Sequence, residues 1–415
     1  MGKDKTIVLV TNGFPYGDSE QSFLMEEFER LCSVCRVVIV AFQPKTSEIV
    51  INIPDDVKVY QISIESKVRY KKNILKSLTC FQTWKEIVNA KKDCSFGIWL
   101  KLIKNIISED CRIIYCMDYL YKLCKKESVS LVYTYWCTSV TLAAVRLKKY
   151  LPGLKVVTRF HRYDLYIRES EKIYWQVYRD YLSWNADKLI FLCNYAKTYF
   201  CSRWPVKEEK CELMALGTRS FSVIPYKDSY QLHLVSCSAL IPRKRVDLII
   251  GGLSMIEDNY YVYWHHIGDG ELRNELEFYA EKKLGNKKNI EYEFMGKIPN
   301  DNLYDIYSKY NVRLFITTTE SEGVPVSVQE ALAMGIPAIG TDVDGINEEI
   351  IPGKTGYLLL AEPSEYDVAK AICTYMDEDI EVKQKMKANA RLHWEKFYNA
   401  VNNAEKFVGM IENLI

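Results

Sequence analysis

Thirteen short apolar runs, most of them followed by a loop and a helix-like segment, constrain this chain more than any other feature. Seven lie in the first half, at residues 5–11, 36–42, 57–64, 131–136, 155–161, 188–193 and 211–216. Six lie in the second, at 232–240, 260–268, 290–296, 312–319, 337–341 and 356–360. Continuous rather than alternating apolar character reads as strands covered on both faces. Strands that alternate with helices argue for parallel α/β sheets. The periodicity lapses over 217–231, a linker, and then begins again. The expectation is two α/β domains in tandem, over residues 1–220 and 221–395. A last amphipathic helix, 396–415, carries Phe397, Val401, Phe407 and Ile411 and is expected to pack back on the first domain.

Each half is expected to be Rossmann-like, with ligands bound outside the carboxyl ends of the strands and in the cleft between the domains. Several function classes are excluded by composition. A net charge of +1 over 415 residues gives nucleic acid nothing global to bind. No run approaches the ~18 apolar residues of a membrane span. Thirteen scattered cysteines read as reduced thiols of a cytoplasmic protein, with Cys32 and Cys35 in packing roles. From Lys67 to Lys104 there are ten Lys or Arg against two acids, interleaved with Leu75, Phe81, Trp84, Phe96, Trp99 and Leu100. That segment, 67–104, reads either as solvated helix faces or as a surface drawn to anionic lipid, which would place the protein peripherally at the inner face of the plasma membrane.

Chemistry collects just past the strands. After 312–319 come Glu322 and Glu330 with seven residues between them, of which Gly323, Val324, Pro325 and Val326 open a helix. A helix N-terminus suits phosphate, so two acids beside it are better read as acceptors for the hydroxyls of a ribose and a sugar. Elsewhere the strand ends bring up Gly17, Tyr135-Trp136, His161 with Asp164, Arg243-Lys244-Arg245, Gly268-Asp269-Gly270 and Gly296-Lys297. Ser19 or Ser22 is expected to cap a helix bearing Phe23, Phe28 and Leu31. Each of these alone has an ordinary structural reading: a core histidine, a surface lysine, a turn glycine. Their shared position at strand ends is the signal.

The spaced pair Glu322-Gly323…Glu330-Ala331, followed by Met334-Gly335-Ile336-Pro337, resembles the E-x7-E signature of glycosyltransferase family 4, the retaining GT-B class. Phe14-Pro15-Tyr16-Gly17 with Glu20, His161…Asp164, Leu240…Lys244, Gly268-Asp269-Gly270, Gly296 and Asp344-Gly345 with Glu348 extend the resemblance over both halves. The resemblance implies transfer of a sugar from a nucleotide diphosphate sugar to a hydroxyl of a glycan or lipid-linked glycan, in surface-polysaccharide synthesis and without a metal or other cofactor. It implies that Glu330 takes the ribose hydroxyls. Glu322 takes those of the donor sugar, with backbone from Gly323 to Val326. Lys244, with Arg243 beside it, meets the diphosphate; Gly17 approaches the diphosphate or acceptor; Gly296 and Lys297 edge the base. His161 lies against the donor sugar, and Tyr135, Trp136, Asp164 and Glu20 are acceptor-side. Two positions depart from the family: Ala239 stands where an Arg precedes the leucine, and Arg162 where a Gly follows the histidine. A GT-B 2-epimerase and a non-catalytic scaffold are the alternatives.

Overall fold

The computed structural model describes residues 5–17, 20–42, 44, 46, 48–49, 51–62, 72–92, 94–168, 172 and 175–415. Two units form: residues 1–214 with 404–415, and residues 215–403. In the first unit the strands are β1 (Thr6–Thr11), β2 (Arg36–Phe42), β3 (Lys58–Ile62), β4 (Val129–Thr134), β5 (Lys155–Arg159), β6 (Lys188–Phe191) and β7 (Cys211–Leu213). They form one parallel sheet in the order β3-β2-β1-β4-β5-β6-β7. β1 shows why: its six residues, TIVLVT, are β-branched or Leu and all buried. Strand order reverses between β1 and β4, so a crevice opens at their carboxyl ends.

The second unit repeats the plan with β8 (Gln231–Cys237), β9 (Tyr261–Ile267), β10 (Ile290–Gly296), β11 (Leu314–Thr317), β12 (Ala338–Thr341) and β13 (Gly356–Leu359). The order is β10-β9-β8-β11-β12-β13, all parallel, and the reversal falls between β8 and β11. Two glycines interlock the loops at this edge. A Cβ on Gly268 would lie 1.9 Å from the Ser238 carbonyl oxygen, and one on Gly270 would lie 2.3 Å from that of Leu240. Backbone thus packs directly on backbone where β8 and β9 end.

All thirteen expected strands are present, and the expected fold class, α/β with two Rossmann-like parallel sheets, is what the chain adopts. The details differ where side chains decide. β4 stops at Thr134, so Tyr135 and Trp136 lie beyond it. β3 stops at Ile62, and residues 63–64 of the expected run lie outside the described residues. The basic segment forms helices Ile74–Leu78, Phe81–Lys92 and Phe96–Glu127, with 67–71 outside the described residues. Glu20 rather than Ser22 occupies the N-cap of helix Gln21–Val34, and Ser19 lies outside the described residues. No single helix runs from 396. Helix Ile380–Phe397 ends, and Ala400–Glu412 begins. The Asn399 side chain accepts from the N–H groups of Val401 and Asn402 at 3.0 and 3.3 Å, capping the new helix. Residues from Ala404 onward belong to the first unit.

There Phe407 is fully buried and covers a charged pair. Arg159, at the end of β5, donates to Glu27 of helix Gln21–Val34 at 2.6 Å, with both side chains buried. The rings of Tyr133, Tyr135 and Phe407 lie 5.9, 5.4 and 5.5 Å from the guanidinium. Arg159→Met alone would leave the Glu27 carboxylate buried without its cation and should cost ~3–5 kcal/mol. Urea denaturation should show that loss, and the double variant Arg159→Met/Glu27→Leu should recover most of it.

Candidate active site

In the first unit, four donors converge on one carboxylate. Glu20 is buried and accepts from the backbone N–H groups of Asn12, Gly13 and Phe14 at 3.2, 2.7 and 2.6 Å. Its Oε1 also accepts from the Trp136 indole N–H. The loop after β1 is therefore folded around Glu20 and tied to the end of β4. Gly17 ends this loop at φ +78°, a region that favours glycine, with open space where a Cβ would stand. Its glycine is explained by backbone conformation, not by crowding.

Asp164 does for β5 what Glu20 does for β1. It is buried, and its two oxygens accept from the N–H groups of His161 and Cys137, each at 2.7 Å. Arg179 donates to the Asp164 carbonyl oxygen. Burial raises the Asp164 carboxyl to about 7, against the pull of Arg179. His161 is thereby fixed at the start of the short helix Arg162–Leu165. Its ring packs on Trp136 at a centroid distance of 4.0 Å, and Nε2 lies 3.0 Å from the Tyr135 carbonyl oxygen. A carbonyl only accepts, so Nε2 carries the proton and Nδ1 does not. Burial, with Arg159 second, lowers the imidazole to about 3, so the ring is neutral at ordinary pH.

Three acceptor-side expectations change here. The Tyr135 side chain is fully buried in the core beside Tyr133, and it offers the site only its carbonyl. Glu20 and Asp164 have their oxygens engaged by the protein's own N–H groups, which makes them braces for Trp136 and His161. Tyr135 turns into the core beside Tyr133, and Trp136, next along the chain, is left partly exposed.

In the second unit, the turn after β8 and the loop after β11 are strapped together. Thr318 Oγ1 donates to the Arg245 carbonyl at 2.7 Å, and the Glu320 N–H to that of Arg243 at 2.9 Å. Arg243 and Lys244 both donate to Glu322 Oε2, the first at 3.1 Å. Burial would raise the Glu322 carboxyl, but Lys244 and then Arg243 outweigh it and hold it below the usual range. Asp344, at φ +48°, accepts from the Glu322 N–H at 2.9 Å and from Ser321 Oγ, which aims the Glu322 loop. Gly323 through Pro325 then lead into helix Val326–Ala333, whose first N–H groups have no partner within the helix.

Glu330 sits one turn and a half along that helix, buried, and accepts from the Asn300 amide at 2.9 Å. Burial raises it to about 7, against Arg219. Gly296 ends β10 and Lys297 follows it, three residues before Asn300; Gly296 is left-handed at φ +72° and its carbonyl accepts from Gly268 at 2.9 Å. Asn300, Asp344 and Ser321 escaped the sequence reading as site residues. The signal for Asn300 was its place just past a carboxyl strand end, and for Asp344 its left-handed Asp-Gly turn. Among the described residues no group of three or more His, Cys, Asp or Glu gathers as for a metal ion.

Residues 224–393 match the family described as glycosyl transferases group 1. The chain is 23% identical over 273 residues to an uncharacterized glycosyltransferase of Methanocaldococcus jannaschii, an alignment covering 66% of this chain and 72% of that one. It is 26% identical over 220 residues to the GtfA subunit of a UDP-N-acetylglucosamine–peptide N-acetylglucosaminyltransferase of Streptococcus agalactiae, covering 50% of this chain but only 41% of that protein. HepE of Anabaena, solved with UDP and glucose, superposes with a TM-score of 0.63 at 14% identity over 98% of this chain and 99% of its own. The match to the group 1 glycosyltransferases thus falls within the second unit, and the fold of the whole chain, two Rossmann-like units, is that of the GT-B glycosyltransferases it superposes on.

Glu330 also sets a pH dependence. Its carboxyl rises from an ordinary 4.5 to about 7 on folding, so the folded state holds the proton more tightly. The stability this contributes is full below about 4.5 and is lost as pH rises through about 7. Thermal unfolding at pH 5 and pH 8 should show a larger difference in wild type than in Glu330→Gln.

Proposed function

We propose that this chain is a retaining glycosyltransferase that moves a sugar from a nucleotide diphosphate sugar to a hydroxyl of a glycan or lipid-linked glycan in surface-polysaccharide synthesis. The observation that carries the reading is the pairing of one acid with two cations beside a helix N-terminus: Glu322 with Lys244 and Arg243, next to Val326–Ala333. Breaking the glycosyl phosphate bond leaves negative charge on the diphosphate, and prearranged cations and N–H groups aimed there contribute roughly 10²–10³ each in rate. Helix-dipole attraction of ~0.3–2 kcal/mol does not suffice alone, so Lys244 is the main counter-charge. These groups meet the charge without calling on a metal. Glu322, kept ionised, accepts the sugar hydroxyls, and Glu330 with Asn300 takes the ribose. Uridine diphosphate is the favoured nucleotide, because the relative and the solved structure above are named with it.

A neutral imidazole titrating near 3 is a poor base at neutral pH, so His161 positions rather than deprotonates. The acceptor's proton then passes to the departing phosphate oxygen. The bond from the anomeric carbon to that oxygen breaks as the bond to the acceptor oxygen forms on the same face. UDP at a hundred times its dissociation constant should add ~2.7 kcal/mol of stability, seen as a rise in Tm. Lys244→Ala should abolish most of that rise and lower transfer ~10²-fold or more. Transfer within threefold of wild type would sink the assignment.

Peripheral membrane docking belongs to the same proposal. Leu75 and Phe81 are each 77% exposed, and Trp84, Val88, Phe96 and Leu100 are more than half exposed. Phe81, Trp84 and Val88 follow helical spacing along one face, as do Phe96 and Leu100 on the next helix. Lys76, Lys85, Lys91, Lys92, Lys101 and Lys104 lie among them. Apolar side chains rimmed by lysines match an anionic bilayer. Among the described residues no helix is long and apolar enough to cross one. Flotation with phosphatidylglycerol vesicles should occur at low salt, weaken as salt rises, and fall sharply in Phe81→Ser/Trp84→Ser.

A further inference from the structure

The helix Phe96–Glu127 is 32 residues long and does more than present Phe96 and Leu100. Lys101, Lys104, Ser108 and Arg112, at spacings of three and four, lie along one of its faces, and all four line a pocket of about 1060 Å³ inside the first unit. The opposite wall is formed by residues that follow β1 and β4, among them Asn12, Cys137 and Thr138. Asp164, which fixes His161, lines it too, and Tyr163 and Trp175 add ring surface. The pocket thus opens at the sheet edge where Trp136 and His161 stand.

Among the described residues its charge is one-sided. The acids among its lining are both engaged within the protein: Glu109 by Ser139 Oγ and by Arg112 at 3.2 Å, Asp164 by two backbone N–H groups. Lys101 and Lys104 make no ion pair among the described residues and stand exposed over the pocket. Two ammonium groups about one helical turn apart, with no ion pair among the described residues, match a phosphate or diphosphate, whose charge spreads over several oxygens.

We propose that this pocket holds an anionic group of the acceptor, a phosphate or diphosphate, through Lys101 and Lys104, with the acceptor's reacting hydroxyl toward Trp136 and His161. The inference rests on the glycosyltransferase reading and deepens it by naming the acceptor's chemical class. Phe96 and Leu100 begin the same helix, so the group reaches the pocket either on a lipid in the membrane or on a soluble glycan.

The test uses the full chain and inorganic pyrophosphate as the probe. With UDP present in excess to occupy the donor half, pyrophosphate is titrated calorimetrically into wild type and Lys101→Glu/Lys104→Glu. One pyrophosphate should bind wild type, at least tenfold more weakly in the variant, with UDP affinity and Tm unchanged. No binding to wild type, or binding to the variant within twofold, overturns the proposal. Should UDP fail to bind, the donor assignment falls on its own, and the pyrophosphate comparison is repeated in the Lys244→Ala background, where the same tenfold criterion decides. Phosphatidylglycerol vesicles form the second arm. Loss of pyrophosphate binding together with flotation supports a membrane-borne acceptor, and loss of pyrophosphate binding alone supports a soluble one. Loss of flotation with pyrophosphate binding intact overturns the pocket and leaves the lysines to the bilayer.

Discussion

A peptide N–H that emerges past the end of a parallel strand has lost its ladder partner, and in a buried loop something else must accept from it. In this protein the acceptors are carboxylates. Glu20 takes three such groups after β1, Asp164 takes one from each of the loops after β4 and β5, and Asp344 takes that of Glu322. Each carboxylate does more than satisfy backbone. Glu20 also holds the Trp136 indole, Asp164 sets the first turn that carries His161, and Asp344 directs the Glu322 loop. The side chains with chemistry to offer are thus aimed by acids that have none of their own to spare.

The same burial has opposite results at acids a few residues apart. Glu322 stays ionised because Lys244 and Arg243 reach it. Glu330, with a neutral amide as its hydrogen-bond partner and only Arg219 opposing burial, is pushed to about 7. Glu349 is fully buried with Gln329 donating to it at 2.9 Å, and its carboxyl is driven far up. What divides the two acids of the seven-residue spacing is therefore which cations the loop after β8 delivers, and to which of them.

Legibility in the sequence followed the range of the interaction. Every strand was readable: central ones such as β1 and β2 are buried on both faces and written largely in Val and Ile, and the partly exposed edge strands β3 and β10 still carry enough apolar and aromatic residues to show. The strand–turn–helix unit that carries Glu322 and Glu330 was readable too, since its geometry is local. That Glu20 and Asp164 hold the protein's own N–H groups, and that the Tyr135 ring is buried, was not readable for the converse reason. Whether a polar side chain at a strand end faces a ligand or the neighbouring loop depends on partners as far away as the 116 residues that separate Glu20 from Trp136. Lys101 and Lys104 were visible as part of a basic stretch, but only the packed helix shows which lysines overlook a pocket and which face outward.

Gly268 and Gly270 have a wider consequence. Because their backbones touch the carbonyls of Ser238 and Leu240, the course of the chain from 238 to 240 is dictated by main-chain contact and owes nothing to the side chain at 239. Ala239 is exposed on that rigid stretch. Position 239 can therefore gain or lose a charge while the Arg243–Lys244 turn keeps its shape, so the surface beside that turn can change its charge without endangering the fold.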